Sequence, residues 1–130
     1  MKKIIKWIVV GLIAEYVLGM YAAMLAVPPG DPGYAAEPFY SKLAIPVHSL
    51  LGLILLILAV ILFVLGFKNK NQAYKKMTIY GFLSITIAFA AGIATVALKE
   101  NASEIASFIM SFGFLLSFIL YGRLFFLLKK

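Results

Sequence analysis

Residues 47–67 read VHSLLGLILLILAVILFVLGF, a run without Lys, Arg, Asp or Glu. About 20 helical residues cross a bilayer, so this stretch has the length and chemistry of a transmembrane helix. It lacks the period-two alternation of a membrane barrel strand. Reading outward, Lys68 to Lys76 form a short basic loop, and a second apolar stretch follows from Met77 to Leu98. A tight turn, Lys99 to Glu104, leads into a third stretch from Ile105 to Leu128. On the N-terminal side a loop covers Pro28 to Pro46, and a further apolar stretch runs from Ile4 to Val27. The expected spans are therefore 4–27, 47–67, 77–98 and 105–128. They form a single all-α integral-membrane domain over residues 1–130, a four-transmembrane-helix bundle with up-down-up-down topology.

Composition agrees with that reading. Hydrophobic residues make up 64% of the 130-residue chain and charged residues only 13%, against about a quarter charged in a soluble domain. So short a chain leaves too much surface exposed to hide this apolar content from water. The absence of cysteine excludes disulfides, thiolate metal sites and iron–sulfur clusters. The only histidine is His48, which excludes a multi-histidine site within this chain.

Charge sets the expected orientation. Lys2, Lys3, Lys6, Lys68, Lys70, Lys75, Lys76, Arg123, Lys129 and Lys130 fall on one side of the four spans; only Lys42 and Lys99 fall on the other. The loop carboxylates Asp31, Glu37, Glu100 and Glu104 all belong to the poor side. Basic loops stay in the cytoplasm, so both termini are expected there. The net charge of +7 then reflects topology and not nucleic-acid binding, for no basic face is interleaved with exposed aromatics. Lys2 and Lys3 before an apolar run imitate a signal peptide. The run is long, Glu15 interrupts it, and no small-x-small cleavage site precedes Pro28, so cleavage is not expected.

The connections carry their own signals. Pro28-Pro29-Gly30-Asp31-Pro32-Gly33 is a series of turn and polyproline signals, and Tyr34, Phe39 and Tyr40 suit the headgroup level. This external loop, 28–46, either lies on the membrane or docks a partner. Pro46 suits the first turn of the second helix, where a missing N–H costs nothing. Asn101 and Glu104 have capping-box spacing for the start of the fourth helix, and Asn101-Ala102-Ser103 is also a glycosylation sequon.

Glu15 falls inside the first span, nine residues past Lys6. An intramembrane carboxylate is costly unless protonated or paired, which makes it a candidate functional residue. Gly11, Glu15, Gly19 and Ala23 are four apart and form a seam that admits another helix, so Glu15 is expected to face protein. Its natural partner by charge is Arg123, whose side chain either snorkels outward to the headgroups, the favoured course, or reaches inward toward Glu15. Such a pair would serve packing or register. His48 opens the second span, with Gly52, Ala59 and Gly66 below it. A histidine here fits a bundle-facing structural role, a ligand to haem b, a hydrogen bond to a quinone, or, with Met20 and Met24, a copper site. Gly92 follows Ser84 and Ala88 at steps of four, with Thr95 beyond. Together with Ser107, Ser111, Gly113 and Ser117 these read as helix-packing and interhelical hydrogen-bonding positions. Seven aromatics in the fourth span cover nearly every face, so some must meet lipid or a partner subunit.

The stretch Pro46-Val47-His48-Ser49-Leu50-Leu51-Gly52 weakly resembles small, uncharacterised four-span membrane proteins of prokaryotes, in which a histidine opens the second span ahead of a Gly-containing apolar run. The layout also resembles b-type cytochrome bundles, although the fourth span has no histidine. The resemblance implies a prokaryotic plasma membrane and makes haem the cofactor to consider at His48.

There is no P-loop, dinucleotide fingerprint, HExxH or nucleophile elbow, and the segments outside the spans are too short to hold an active site. The chain is not expected to be an enzyme by itself. The expectation is a non-catalytic accessory or structural subunit of a larger membrane complex, such as a respiratory or other membrane oxidoreductase assembly, with lipid and other subunits as partners. Two alternatives stand beside it: a haem-, quinone- or copper-binding protein using His48, and a small proton- or ion-coupled carrier using Glu15.

Overall fold

A computed structural model describes residues 1–25, 32, 38–98 and 100–127. Four helices account for nearly all of them: α1 (Lys2–Leu25), α2 (Phe39–Phe67), α3 (Gln72–Ala97) and α4 (Glu100–Leu127). Each contains a stretch long and apolar enough to cross a membrane. Each helix packs against its neighbour in the chain, and α4 closes back onto α1. Consecutive helices run antiparallel, so Lys2, Lys3 and Lys6, the Lys68–Asn71 turn with Lys75 and Lys76 at the start of α3, and Arg123 gather at one end of the bundle, called here the basic end.

The inward faces follow a heptad rhythm. Ile5, Ile8, Leu12 and Glu15 are the buried residues of α1, and Leu55, Ala59, Leu62 and Gly66 those of α2 in the same half of the bundle. Steps of three and four keep one stripe facing its neighbour along left-handed packed helices. Tyr74 and Ile85 of α3 and Tyr121 and Leu124 of α4 complete the core. Side chains of Phe63 and Phe82 join α2 to α3 with ring centroids 4.9 Å apart, and Tyr16 stacks on Phe114 to join α1 to α4.

Close approach depends on glycine, as expected where helices in lipid associate through packing. A Cβ at Gly81 would stand 2.7 Å from Tyr121 Cζ, and one at Gly11 would stand 2.7 Å from Leu55 Cδ2. Gly66 faces Thr78 in the same manner. Gly92 receives Met110, whose sulfur would lie 3.2 Å from an added Cβ.

Helix ends differ from the sequence expectations in three places: α3 begins at Gln72, not Met77, which shortens the expected Lys68–Lys76 loop to residues 68–71, and α2 and α4 also start earlier. The second helix begins at Phe39, not Val47, so Pro46 lies inside it. Proline there withdraws one helical hydrogen bond, that to the Lys42 carbonyl. Leu43, Ala44 and Ile45 nevertheless continue the helix, since unpaired backbone in an apolar phase costs more than one lost bond. The loop is correspondingly shorter than 28–46, and its reading as a docking or membrane-lying segment falls largely outside the described residues. The fourth helix begins at Glu100, which moves Asn101 from the N-cap position into the helix. The turn is instead tied by Ser103, whose hydroxyl donates to the Thr95 carbonyl across 2.8 Å. A side-chain cap does form on α3, where Asn71 Oδ1 accepts from the backbone N–H of Ala73 and Tyr74.

The membrane hydroxyls also behave differently from expectation. Ser84, Thr95, Ser111 and Ser117 each donate to the carbonyl four residues back in their own helix. Among the described residues the one hydroxyl seen to bridge two helices is that of Ser103. A hydroxyl in an apolar phase finds its nearest acceptor one turn back on its own backbone.

Candidate functional site: a buried glutamate–histidine pair

Glu15 projects from α1 toward α2, and its carboxylate meets the one histidine. His48 Nδ1 stands 3.2 Å from Glu15 Oε1, with the Glu15 side chain 9% exposed and that of His48 24%. This is the only ion-pair contact among the described residues. The approach is at ion-pair distance but is not directed as a hydrogen bond. Glu15 Oε2 is buried without a partner.

The seating of the pair is reciprocal. A Cβ on Gly19 would stand 3.1 Å from His48 Cε1, and a Cβ on Gly52 would stand 3.0 Å from Glu15 Oε1. Each helix thus supplies one polar side chain and, four residues later, the glycine notch that receives the other. Glu15 and Gly19 share a face of α1, and His48 and Gly52 share a face of α2, because four residues are slightly more than one turn. The antiparallel register that brings these notches together is the same one that seats Leu55 against Gly11. From α3 the ring of Phe89 closes over Gly52, 3.6 Å from the same added Cβ.

Below the pair, toward the basic end, the seam is apolar. Leu12, Leu55, Ile8, Ala59 and Leu62 are each between 0% and 3% exposed. This layer separates Glu15 and His48 from the basic end of the bundle.

Arg123 is not the partner of Glu15. The Tyr16–Phe114 stack fixes the antiparallel register of α1 and α4 and sets Glu15 level with Leu115, eight residues or about 12 Å from Arg123. Arg123 is also exposed on the outer side of α4. A copper set of Met20, Met24 and His48 is not assembled either. His48 lies over Gly19, whereas Met20 is 100° and Met24 about 140° farther round α1, and both are exposed, at 47% and 77%. Among the described residues no cluster of three or more His, Asp or Glu forms.

Sequence reading places Glu15 with Gly19 on one seam and His48 with Gly52 on another and does not join the two. The available signal was the matching pattern, Glu-x-x-x-Gly on one helix and His-x-x-x-Gly on the next. The buried hydroxyls of Tyr74 and Tyr121, which have no partner in the structure, carried no such signal. No known protein family, curated protein or solved structure matches the chain.

Proposed function

We propose that this chain is a non-catalytic integral-membrane protein, an accessory subunit of a larger membrane complex, with both termini in the cytoplasm. In this reading the Glu15–His48 pair fixes the register of the α1–α2 hairpin. The observation that carries it is the tight reciprocal seating of the two side chains. A site built to bind or turn over a ligand keeps room beside its polar groups. Here a methyl added on Gly19 or Gly52 would stand only 3.1 or 3.0 Å from the paired side chains, closer than ordinary van der Waals contact. Buried polar contacts that specify helix register are the best-attested structural use of such pairs. The outer faces supply the surface for assembly: Phe108, Phe112 and Phe126 on α4 and Trp7 and Val17 on α1 are all more than half exposed.

The orientation rests on the basic end, where every described lysine except Lys42 is collected with Arg123. A second reading, a proton-coupled carrier using Glu15, is favoured by the unpartnered buried Oε2 and opposed by the apolar layer beneath it.

Mild-detergent extraction from native membranes, a native gel and an optical spectrum of the band test the proposal. Migration in a large complex supports it. A small band with its own Soret absorbance makes His48 a haem ligand and overturns it. A small colourless band overturns it too and leaves the carrier as the surviving reading.

A further inference from the structure

We propose that the outer α3–α4 face at the basic end binds an anionic phospholipid, its phosphate held by Arg123 and Lys76 with Tyr80 beside them. The register of the two helices places these side chains together. Tyr121 lies against Gly81, so two residues farther along α4 Arg123 is level with Ile79, within the turn that carries Lys76 and Tyr80. Their shared direction follows from helical periodicity. Eighteen residues make five full turns, so Arg123 repeats the direction of Ile105 and Lys76 that of Ala94, while Tyr80, four residues past Lys76, shares its face of α3. Ile105, Ala94 and Leu98 line one apolar hollow of about 500 Å³ on the outer side of the α3–α4 pair. The two cations and the tyrosine therefore flank the same seam, at its other end. All three are exposed, Tyr80 by 56%.

Charge complementarity selects the occupant. Lys76 and Arg123 have no carboxylate partner, because the only ion-pair contact among the described residues is that of Glu15 with His48. Every described carboxylate other than Glu15 lies toward the opposite end. Among the described residues no carboxylate supplies the counter-charge, which an anionic ligand would provide. A guanidinium fork matches phosphate geometry, a lysine adds a second point charge, and a tyrosine suits the headgroup level. Below the cations the seam offers apolar side chains, Leu83 and Ile87, both about half exposed. The hollow begins at Ile87, about 16 Å from Lys76 along α3, which matches half of a hydrocarbon core ~30 Å thick. An acyl chain attached to a phosphate at Arg123 spans that distance along Leu83 and Ile87 and ends where the hollow, which lies in the opposite half of the bundle, begins.

The test titrates the purified full-length protein in neutral detergent with phosphatidylglycerol, phosphatidylcholine or inorganic phosphate, reading apparent affinity from the shift in thermal midpoint. Phosphatidylglycerol is expected to bind at least tenfold more tightly than phosphatidylcholine. Since one basic residue near an anionic surface is worth about a fivefold change in binding, Arg123→Gln and Lys76→Gln should each weaken it by about that factor. A Lys2→Gln/Lys3→Gln control, which removes equal charge elsewhere at the basic end, should have a smaller effect than the Arg123→Gln/Lys76→Gln double variant. Equal affinity for the two lipids, or an equal loss in the two double variants, would overturn the proposal. So would a full shift produced by inorganic phosphate alone, which would assign the cations to a free anion.

Discussion

His48 of α2 sits in the notch left by Gly19 of α1, while Glu15 of α1 sits in the notch left by Gly52 of α2, and the two side chains meet at 3.2 Å. The exchange is symmetrical about the contact. Neither polar group reaches its place unless the other helix carries glycine at the matching level, so one register of the hairpin is favoured over a slip of a turn in either direction.

The pair should show energetic coupling that Arg123 does not share. Glu15→Gln and His48→Asn are each expected to lower stability in detergent melts, with the double variant less destabilised than the sum by about 1–3 kcal/mol. Arg123→Gln, at an exposed position, should change stability by less than about 0.5 kcal/mol and add to Glu15→Gln without coupling. Strict additivity of Glu15→Gln and His48→Asn would show that the contact contributes nothing to the fold.

Glycine substitutions should sort by what a methyl group meets. Gly19→Ala and Gly52→Ala press on the paired side chains, and Gly81→Ala presses on the Tyr121 ring. Overpacking at Gly81, where the added Cβ would stand 2.7 Å from the ring, costs about 1–3 kcal/mol; at Gly19 and Gly52, with contacts at 3.1 and 3.0 Å, the loss is smaller and the better helix propensity of alanine offsets part of it. Gly122→Ala is the contrast, for nothing lies within 4 Å of an added Cβ there, and its better helix propensity should leave stability unchanged or raised by up to about 1 kcal/mol. Melting midpoints of the four variants in one detergent decide the order.

Tyr121 is 0% exposed and its hydroxyl has no partner. An unsatisfied buried polar group costs about 1–3 kcal/mol, so Tyr121→Phe should raise the melting temperature. A fall would mean that the hydroxyl holds a hydrogen bond to an internal water.

The α3 cap gives a prediction outside the core. Asn71 Oδ1 accepts from two backbone N–H groups, and Asn71→Ala should cost about 1 kcal/mol. Asn71→Asp keeps the acceptor and should retain most of the stability. If both variants melt alike, the cap carries no weight.

Much of this was legible in the sequence because the bilayer imposes a coarse rule. Apolar runs of spanning length between basic clusters leave little freedom in the number of helices, and residues 47–67 show it most clearly. Boundaries were less legible. Pro46 resembles a first-turn proline, yet the helix passes through it to Phe39, because the cost of one missing bond is local and Leu43, Ala44 and Ile45 just before it are apolar. Glu15 and His48 were each visible as polar residues on small-residue faces. Their meeting was not, since it depends on which residues of two antiparallel helices stand level. Arg123 looked like the partner by charge alone. The register fixed by Tyr16 and Phe114 puts it two turns too far toward the basic end.

The exchange variant Glu15→His/His48→Glu tests the central claim most directly, read by its mobility on a native gel after mild extraction from native membranes. The two glycine notches are reciprocal, so a pair that only fixes helix register should tolerate trading sides. The account predicts that the exchanged protein migrates in the same large complex as the wild type. A folded exchange variant that leaves the complex, or a wild-type protein that runs alone, would contradict it.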